Sequence, residues 1–384
     1  MRCAIVPPTP VPYREPLFQA LSERLDLRVI YQSAGEPSWD VPTDWFPRGH
    51  PYPAAHLRAR QFRRAGRTPV VLPRGLMRAL RRADPECVVV WEYGAASLRT
   101  LAWCRRHRRA YVIFTECTSE IDRLLPPWQL ALHRWLARRA DGVITASSAA
   151  RERVRGFGVR EERATVALQA ADVERFRATP VAPGDGFKVL GVGRLVPDKN
   201  FEALILAFAR SGVPGELEII GTGYWEDHLR QVAKRTGAAV RFRGHVSPEQ
   251  LPELYASADV FALTSTYEPF GVAVREAAAA GLPIVCTRTA GAAGDVAIEG
   301  RNAFLVDPAS VEDVAGALTR LAQDPDLRAR MAAESRAIDR ETDGTEVDAF
   351  EAAVRAAAGV GGAYSPSSAG STSARIRATD ASGR

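Results

Sequence analysis

Short apolar runs rich in β-branched residues alternate with helical stretches along most of the chain. Six runs occur in the first half, at residues 3–6, 27–31, 87–91, 111–115, 143–145 and 165–168. Six more follow, at residues 189–192, 217–220, 240–242, 260–263, 284–286 and 304–306. Apolar strands separated by helices are typical of parallel sheets covered on both faces. The pattern therefore predicts an α/β chain with two doubly wound, Rossmann-like units.

A segment rich in proline and glycine separates the two series. Residues 179–186 read Thr-Pro-Val-Ala-Pro-Gly-Asp-Gly, which disfavours both helix and strand. We therefore expect a first domain at 1–178, a linker at 179–186 and a second domain at 187–358, closed by helices from residue 311 onward. Residues 359–384 are rich in Gly, Ser, Ala and Thr, which predicts a disordered tail. Ligands bind beyond the carboxyl ends of strands in such sheets, so the two units are expected to face each other across a cleft.

Composition excludes several classes of protein. The 384 residues are 46% hydrophobic and 25% charged, which are ordinary values for globular domains. No stretch reaches the roughly 18 consecutive apolar residues of a membrane span, and the first residues lack the apolar run of a signal peptide. The five cysteines are odd in number and widely spaced, which argues against a disulfide framework or a paired zinc site. We expect a cytoplasmic protein with buried thiols.

Positive charge is concentrated in the first half. Residues 1–180 carry 30 Arg, no Lys and 18 acidic residues, whereas the remainder is net negative. The helical stretch 127–139 is predicted to place four apolar side chains on one face flanked by arginines: Trp128, Leu132, Trp135 and Leu136. Such a face fits an anionic membrane or an anionic acceptor, and it also fits an ordinary helix with an apolar inner side. No nucleic-acid partner is expected, because the basic runs contain no recognisable reading module.

The loop at residues 193–200 has the features of an anion-binding turn. It reads Gly-Arg-Leu-Val-Pro-Asp-Lys-Asn and leads from an apolar strand into a predicted helix. Gly193 lets the backbone approach a ligand, and the free amides of a helix start favour an anion. Lys199 is one of only three lysines in the chain. Its use where arginine is otherwise common indicates a position that requires a compact point charge. Taken alone, the loop is equally consistent with a surface turn carrying incidental charges.

Two carboxylates follow the strand at 260–263. Glu268 lies in the predicted loop, and Glu276 lies within the following helix. The start of that helix, near Phe270 and Gly271, is expected to face the same pocket. Glu268 can contact sugar hydroxyls. An ionised carboxylate has about four acceptor sites, so Glu276 can accept hydrogen bonds from both hydroxyls of a ribose.

These motifs resemble the retaining glycosyltransferases of family 4, which have the two-lobed GT-B fold. The matching segments keep the family's order and spacing, at residues 193–200, 221–223, 242–245, 268–276 and 281–285. In the first half, residues 172–176 resemble the segment that usually ends the family's first lobe. The resemblance covers most of residues 1–350.

The resemblance implies transfer of a sugar from a nucleoside diphosphate sugar to an acceptor hydroxyl, with the anomeric configuration kept. It implies that Arg194 and Lys199 neutralise the departing diphosphate. Glu276 would hold the ribose and Glu268 would position the sugar. Contacts with the donor are expected at Gly193, Gly221, Gly223, Phe270 and Gly271. No metal ion is expected, because fixed cations and a helix start can take its role. The acceptor is expected to be a small molecule or a lipid-linked saccharide.

The first half departs from the family's pattern. Residues 7–14, where the family often has a glycine-rich turn, read Pro-Pro-Thr-Pro-Val-Pro-Tyr-Arg and lack most amide donors. Glu116 follows the predicted strand at 111–115, where the family often has a histidine. Glu116 is therefore a candidate for catalysis or for acceptor binding, and Glu92 has the same two interpretations. Asp295 is predicted to cap a helix near the donor pocket.

Other classes of function stay open at this point. One is a nucleotide-sugar-binding protein without transfer activity, which the missing histidine allows. Another is a different enzyme of the same architecture, such as an epimerase, a phosphorylase or an inverting transferase. An inverting enzyme needs a general base near the first strand, commonly a histidine, and residues 7–14 contain none. The intact cations and acids of the second half favour a retaining transferase.

Overall fold

The structure is a computed structural model that describes residues 1–34, 46–47, 49–62, 70–179 and 186–360. Residues 180–185 of the expected linker, and the expected tail from residue 361, lie outside these ranges. Within them the chain forms two parallel sheets covered by helices. The prediction of two doubly wound, Rossmann-like units is therefore confirmed.

The first unit is built on a parallel sheet. Its strands are β1 (Arg2–Val6), β2 (Asp26–Tyr31), β3 (Ala54–His56), β4 (Arg58–Phe62), β5 (Val70–Arg74), β6 (Cys87–Trp91), β7 (Ala110–Thr115), β8 (Gly142–Thr145) and β9 (Ala164–Val166). The sheet order is β3-β2-β1-β6-β7-β8-β9, and β4 pairs separately with β5 in antiparallel fashion. The sequence analysis did not predict β3, β4 or β5. β3 reads Ala-Ala-His and β4 is arginine-rich, whereas β5 has the apolar run Val-Val-Leu but ends in Pro-Arg.

Helices cover both faces of this sheet. They are α1 (Glu15–Arg24), α2 (Leu76–Ala83), α3 (Ala95–His107), α4 (Pro127–Arg139) and α5 (Ser148–Gly156). The short α6 (Glu174–Ala178) lies within the range expected for the first domain but packs against helices of the second unit, where its Phe176 contacts Tyr255. Along β1, Cys3 and Ile5 pack with α1, whereas Ala4 and Val6 pack with α2 and α3. Successive side chains of a strand point to opposite faces, so an unbroken apolar strand supplies the core on both sides.

The second unit repeats the plan. Its strands are β10 (Phe187–Val192), β11 (Gly215–Ile220), β12 (Val240–Gly244), β13 (Val260–Leu263), β14 (Ile284–Thr287) and β15 (Ala303–Val306). Its helices are α7 (Phe201–Ser211), α8 (Glu226–Thr236), α9 (Leu251–Ala256), α10 (Val272–Ala279), α11 (Val311–Gln323) and α12 (Pro325–Thr342). The sheet order β12-β11-β10-β13-β14-β15 reverses direction after β10, as in a dinucleotide-binding sheet. Ligands of such sheets bind at this reversal.

The last helix, α13 (Thr345–Ala357), does not close the second unit as the sequence predicted. It returns to the first sheet, where it packs against α1 and against the strands from β6 to β9. The ring centroid of its Phe350 lies 6.2 Å from that of Phe114 on β7, and Phe350 is fully buried. The apolar stripe of α13 thus finds its partner on the first sheet, and helical periodicity alone does not say which sheet an apolar stripe will cover.

Buried polar contacts also join the two units. Arg275 on α10 is 2% exposed and donates to the backbone oxygen of Gln169 at 2.8 Å. The same guanidinium pairs with Glu346 on α13 at 3.3 Å. Arg177 on α6 donates to Asp339 on α12 at 3.1 Å, which holds α6 against the second unit. These contacts fix the junction on which the cleft between the sheets depends.

Candidate active site

Three loops of the second unit meet at the carboxyl ends of β11, β10 and β13, which are neighbours in the sheet. The loops span residues 221–225, 193–200 and 264–271. Backbone hydrogen bonds join them, since Leu195 N donates to Thr222 O at 2.8 Å and Thr266 N donates to Asp198 O at 2.9 Å. The segments predicted to bind the donor therefore form one continuous surface at the reversal of the sheet.

Close packing between two of these loops accounts for their glycines. Gly221 has a φ of +136°, and a Cβ there would lie 1.9 Å from the backbone oxygen of Gly193. A Cβ at Gly223 would lie 2.2 Å from the backbone oxygen of Leu195. A side chain cannot be accommodated at either position. In the structure, both positions require glycine because the neighbouring loop approaches them closely. Space for a nucleotide is not needed to explain them.

Lys199 and Glu268 form an ion pair at the centre of this surface. Lys199 ends a 3-10 turn, Pro197–Lys199, and its Nζ donates to Oε2 of Glu268. Ser265 Oγ donates to the same oxygen at 3.3 Å. Glu268 is only 8% exposed, and the methylene stem of Lys199 lies beside Gly193. The pair holds one positive and one negative group in fixed positions at the pocket floor.

Arg194 lies on the same loop as Lys199 but is exposed. It forms no ion pair with any residue in the described part of the chain. An exposed guanidinium without a carboxylate partner is available to an anion that binds at this loop. The structure thus brings both predicted cations to one loop.

The turn that starts α10 is held from the next loop along the chain. Gly271 has a φ of +100° and leads into α10, whose first amides have no acceptor within the helix. The loop after β14 supports this turn, because Gly291 N donates to Glu268 O at 3.1 Å and Ala292 N donates to Phe270 O at 2.8 Å. The amides expected to contact the sugar are therefore held in place by a neighbouring segment.

Glu276 is the fifth residue of α10 and faces the junction between the units. Tyr255 Oη on α9 donates to Glu276 Oε2 at 2.7 Å. Burial raises the pKa of Glu276, whereas the hydrogen bond from Tyr255 and the charge of Arg175 lower it. A second carboxylate oxygen remains beyond the one that Tyr255 holds. This arrangement is suited to accepting hydrogen bonds from ligand hydroxyls.

Glu116 supplies the opposite wall of the cleft, directly after β7. Its Oε1 accepts from Arg14 at 2.6 Å and from the indole of Trp91 at 3.1 Å. The guanidinium of Arg14 also lies 4.8 Å from the ring centroid of Trp91. Arg14 is buried, so the proline-rich segment that replaces the glycine-rich turn contributes a buried cation. Sequence analysis gave no role to Arg14 or Trp91.

Glu92 holds Glu116 in place from behind. Its Oε1 accepts from the backbone amide of Glu116 at 2.6 Å, and its Oε2 accepts from Thr115 Oγ1 at 2.9 Å. Glu92 itself adopts a φ of +58°, which is uncommon for a residue other than glycine. Burial and the charge of Glu116 raise its pKa. Both oxygens of Glu92 serve the backbone and side chain of the adjacent strand, which favours a positioning role.

Tyr13 lies between the acids of the two units. Burial raises the pKa of its phenol to about 12, the charge of Arg14 opposes this rise, and the carboxylates of Glu116, Glu268 and Glu276 add to it. Those three carboxylates come from β7, from the loop after β13 and from α10. Predicted acids of both units therefore lie close enough to one side chain for their charges to act on it.

Two further contacts cross the cleft. Burial raises the pKa of Tyr267, and the nearby Cys117 and Glu92 of the first unit add to the rise. Asp295 caps a helix, as predicted, but the helix belongs to the other unit, because Asp295 accepts from Ser148 N at 2.7 Å and from Ser148 Oγ at 2.6 Å at the start of α5. The loop after β14 thus both supports the α10 turn and fastens the two units together.

The apolar side of α4 is only partly covered. Trp128 is 66% exposed and Trp135 is 41% exposed, whereas Leu136 is fully buried and Leu132 is half-buried. Leu124, shortly before the helix, is 67% exposed. The spacing of the four residues places them on one side of the helix, but the sheet below α4 takes up Leu136 and leaves the tryptophans outside. The exposed apolar surface therefore consists of Leu124, Trp128 and Trp135.

Over the described ranges, no three His, Cys, Asp or Glu side chains are grouped so that they could hold a metal ion. No helix in that part of the chain is long and apolar enough to cross a membrane. All five cysteines are free thiols, and all but the half-buried Cys117 are buried.

The chain matches two family descriptions that together span most of it. Residues 17–175 match "Glycosyltransferase Family 4" and residues 172–338 match "Glycosyl transferases group 1". It is 28% identical to the lipopolysaccharide core biosynthesis glycosyltransferase LpsE of Rhizobium meliloti, over 73% of this chain and 78% of that protein. It is 30% identical to the GDP-mannose-dependent alpha-(1-6)-phosphatidylinositol monomannoside mannosyltransferase of Mycobacterium tuberculosis, over 66% of this chain and 71% of that protein.

Solved structures agree with the fold. HepE of Anabaena, in complex with UDP and glucose, aligns with a TM-score of 0.73 at 22% identity, over 90% of this chain and 96% of that one. Sucrose-phosphate synthase of Thermosynechococcus elongatus aligns with a TM-score of 0.72 at 18% identity, over 91% and 97% of the two chains. Fold and sequence together define a nucleotide-sugar-dependent glycosyltransferase of the GT-B type. The chain belongs to glycosyltransferase family 4.

Proposed function

We propose that this protein is a retaining glycosyltransferase that moves a sugar from a nucleoside diphosphate donor to an acceptor hydroxyl without a metal ion. The observation that carries the proposal is that the charges of Glu116, from the first unit, and of Glu268 and Glu276, from the second, all act on the Tyr13 phenol in the cleft. Lys199 is paired with Glu268. This arrangement provides cations for a diphosphate and acceptors for sugar and ribose hydroxyls on facing walls.

Lys199, Arg194 and the first amides of α10 act on the diphosphate. The bond between the anomeric carbon and the diphosphate oxygen breaks, a bond from the acceptor oxygen to that carbon forms, and the acceptor proton passes to the diphosphate. Negative charge grows on the diphosphate as it leaves, and fixed positive groups lower the energy of that state most. These groups take the role that a divalent cation has elsewhere.

Retention is supported by family membership and by the surroundings of the histidine nearest the first strand. His50 Nδ1 lies 3.0 Å from Glu15 Oε2, as a general base paired with an acid would. Its other nitrogen, however, lies 3.1 Å from His56 Nε2. Both nitrogens are thus engaged, and His50 is not placed to take a proton from an acceptor hydroxyl.

The reaction is tested by supplying UDP-, GDP-, ADP- and dTDP-sugars and measuring release of the nucleoside diphosphate, with and without EDTA. We expect release from one donor class, unchanged by EDTA, and a product whose anomeric configuration by NMR equals that of the donor. A product of opposite configuration contradicts retention. Nucleotide binding without any release contradicts transfer and favours the inactive binding protein.

Glu116 orients the transferred sugar or the acceptor hydroxyl in this proposal. Glu116→Gln keeps the shape of the side chain but removes its charge. Turnover at saturating donor and acceptor is expected to fall at least 10-fold while nucleotide binding is retained. A rate close to that of the unchanged protein removes Glu116 from the chemistry and leaves it as the partner of Arg14.

We also propose that the protein works on the cytoplasmic side, in peripheral contact with an anionic membrane. The free thiols support a reducing compartment. The exposed Leu124, Trp128 and Trp135 lie among arginines such as Arg123 and Arg139, which suits the boundary between headgroups and acyl chains. Trp128→Ser/Trp135→Ser is expected to abolish co-sedimentation with phosphatidylglycerol vesicles at low salt. Unchanged co-sedimentation contradicts this contact.

A further inference from the structure

An arginine-lined groove of about 1040 Å³ runs along the edge of the first sheet, between β3, the β4–β5 pair and α2. Six arginines and one aspartate line it: Arg2, Arg28, Arg58, Arg74, Arg78, Arg82 and Asp26. Small residues such as Ala54 and Ala79 lie between the charged side chains and keep the groove open. Its volume is in the range of small-molecule sites.

Most of these arginines lack an acidic partner. Arg2 pairs with Asp84 at 3.2 Å. The other five guanidinium groups form no ion pair with any residue within the described ranges. Elsewhere in the chain the arginines at structural junctions, such as Arg177 and Arg275, are paired with carboxylates. Unpaired like charges that face one space repel each other, and an anion in that space removes the repulsion.

The groove leads to the cleft. Arg2 and Asp26 lie at the amino ends of β1 and β2, whereas His56, which also lines the groove, lies at the carboxyl end of β3. Strands of a parallel sheet share one direction, so the groove extends from the far end of the sheet to the edge that faces the second unit. The α2 helix that forms one wall is about 12 Å long.

Stacked rings lie behind the exposed His56, and two of them, Tyr31 and Tyr52, are buried. The ring centroid of His56 lies 5.0 Å from that of Tyr31 and 5.2 Å from that of His50. Tyr52 Oη, beside these rings, donates to Glu15 Oε1 at 2.7 Å. Glu15 follows Arg14, the partner of Glu116. The groove, the ring cluster and the candidate catalytic wall are therefore contiguous.

We infer that this groove holds the distal part of the acceptor, and that the acceptor is an anionic saccharide chain bearing phosphate or carboxylate groups. The inference rests on the proposed transferase function, because it assigns the groove to the acceptor. Arginine forks match phosphate and carboxylate oxygens with paired hydrogen bonds. The exposed ring of His56 can pack against the apolar face of a sugar. The donor diphosphate has its own cations on the second unit, so the groove is free for the other substrate.

The shape of the groove favours a chain over a bilayer. Its arginines are exposed but line one concave space, whereas the apolar side chains that could enter a bilayer, Trp128 and Trp135, project from α4. A saccharide chain can lie in such a channel. A lipid surface meets mainly the residues at its rim.

The test is direct binding of a sulfated heparin hexasaccharide, with neutral maltohexaose as the comparison probe. Arg78→Glu/Arg82→Glu reverses two exposed charges on α2. The control is Arg235→Glu/Arg330→Glu, which makes the same change at two exposed arginines of the second unit. We expect the sulfated probe to bind the unchanged protein and to bind the groove variant at least 10-fold more weakly, with less than a 2-fold effect in the control. Binding should weaken with salt.

A second variant tests whether the groove continues into the cleft. Burial and the neighbouring His50 lower the pKa of His56, so His56→Ala removes a ring and no positive charge at pH 7.5. We expect this variant to bind the sulfated probe at least 3-fold more weakly, although all the arginines of the groove are unchanged. Equal affinity in His56→Ala and the unchanged protein contradicts a path from groove to cleft.

Several outcomes overturn the inference. One is that the groove variant and the control bind the sulfated probe equally well. Another is that the unchanged protein binds maltohexaose as well as it binds the sulfated chain. If the groove variant no longer binds phosphatidylglycerol vesicles but still binds the sulfated saccharide, the groove is assigned to lipid instead. Release of nucleoside diphosphate from the donor is measured separately, in the unchanged protein and in the control variant. Absence of release in every protein contradicts the transferase proposal, while the binding data still report on the groove.

Discussion

At the scale of single residues, the cleft depends on side chains whose length and charge suit one position. Lys199 reaches Glu268 with its ammonium while its stem lies beside Gly193, and Ser265 completes the contact. The planar fork of an arginine would not fit the same narrow space between two loops as a compact ammonium does. The rarity of lysine in this chain was a sequence signal that the structure explains.

Lys199→Met is expected to lower turnover by about 100-fold or more while changing the affinity for nucleotide much less. The reason is that the lost charge acts mainly on the diphosphate as it departs. Steady-state kinetics and nucleotide titration measure the two effects. Lys234→Met, at an exposed lysine on α8, is the matched control and should leave both unchanged. Equal losses of affinity and turnover at position 199 would assign Lys199 to ground-state binding only.

His133 supplies a pH-dependent contribution to stability. Burial, with the charge of Arg153, lowers its pKa to about 4, and the charge of Asp122 opposes the change. Its Nδ1 lies 3.2 Å from the Arg153 guanidinium, and its ring stacks on Tyr93. Between about pH 6.5 and pH 4 the unfolded chain binds a proton there and the folded chain does not, so stability falls as pH drops through this window, by up to about 3 kcal/mol.

His133→Asn isolates that effect, because the amide oxygen can take the place of Nδ1. We expect the free energy of unfolding of the unchanged protein, relative to the variant, to decline between pH 7 and pH 4.5 in urea titrations. A difference that stays constant over this range would show that His133 does not titrate in the folded state at the expected pH.

The residues that sequence reasoning missed are those joined by long-range contacts. Arg14 and Glu116 are 102 positions apart, and neither segment shows a local pattern that predicts their pairing. Tyr13 likewise stood in a proline-rich segment that resembled an ordinary stiff turn. The motif residues at 193–200 and 268–276 could be found because each lies within one loop and its following helix, where spacing along the chain determines spacing in the fold.

At the scale of elements, period and composition predicted the apolar strands well and the polar ones poorly. Buried runs such as Val88 to Val90 carry their own signal, whereas β3 has all three residues exposed and forms only because β2 offers its edge. The same limit applies to α4. Its periodicity marks an amphipathic helix, but the sheet decides that Leu136 and not Trp128 is buried.

Gly221→Ala is expected to destabilise the second unit by roughly 3 kcal/mol or more, because the new Cβ meets the Gly193 oxygen and φ is positive. Gly212→Ala is the matched control, since Gly212 has a φ of +62° but open space around its Cβ position. That change should cost about 1 kcal/mol from backbone strain alone. Chemical denaturation compares them, and equal costs would remove the loop contact from the explanation.

At the scale of the whole molecule, the cleft is closed by contacts between units rather than by packing within either one. Asp295 of the second unit receives two hydrogen bonds from Ser148 of the first. Tyr267 approaches Cys117 and Glu92 from the opposite side. The donor loops and the Glu116 wall are therefore brought together only while these contacts hold, which links the position of the units to the integrity of the site.

Asp295→Ala is expected to widen the separation between the units without unfolding either, because it removes both acceptors for Ser148. A pair of fluorescent labels, one on each unit, reports the change as lower energy transfer. Asp324→Ala removes a similar helix cap, that of α12 over Leu327, but within the second unit alone. It should lose stability and leave the energy transfer unchanged. Equal energy transfer in the two variants contradicts a role for Asp295 in holding the two units together.

The return of α13 to the first sheet means that the polypeptide passes between the units twice, once ahead of α6, which packs on the second unit, and once at Asp343 and Gly344, between α12 and α13. A body tethered at two points can rotate about the line through them but is restrained from sliding or twisting. Any opening that admits a substrate is thereby confined to rotation of one unit about the line through the two crossings. Severing the chain before α13 would free the remaining directions of movement and uncover the apolar surface around Phe114.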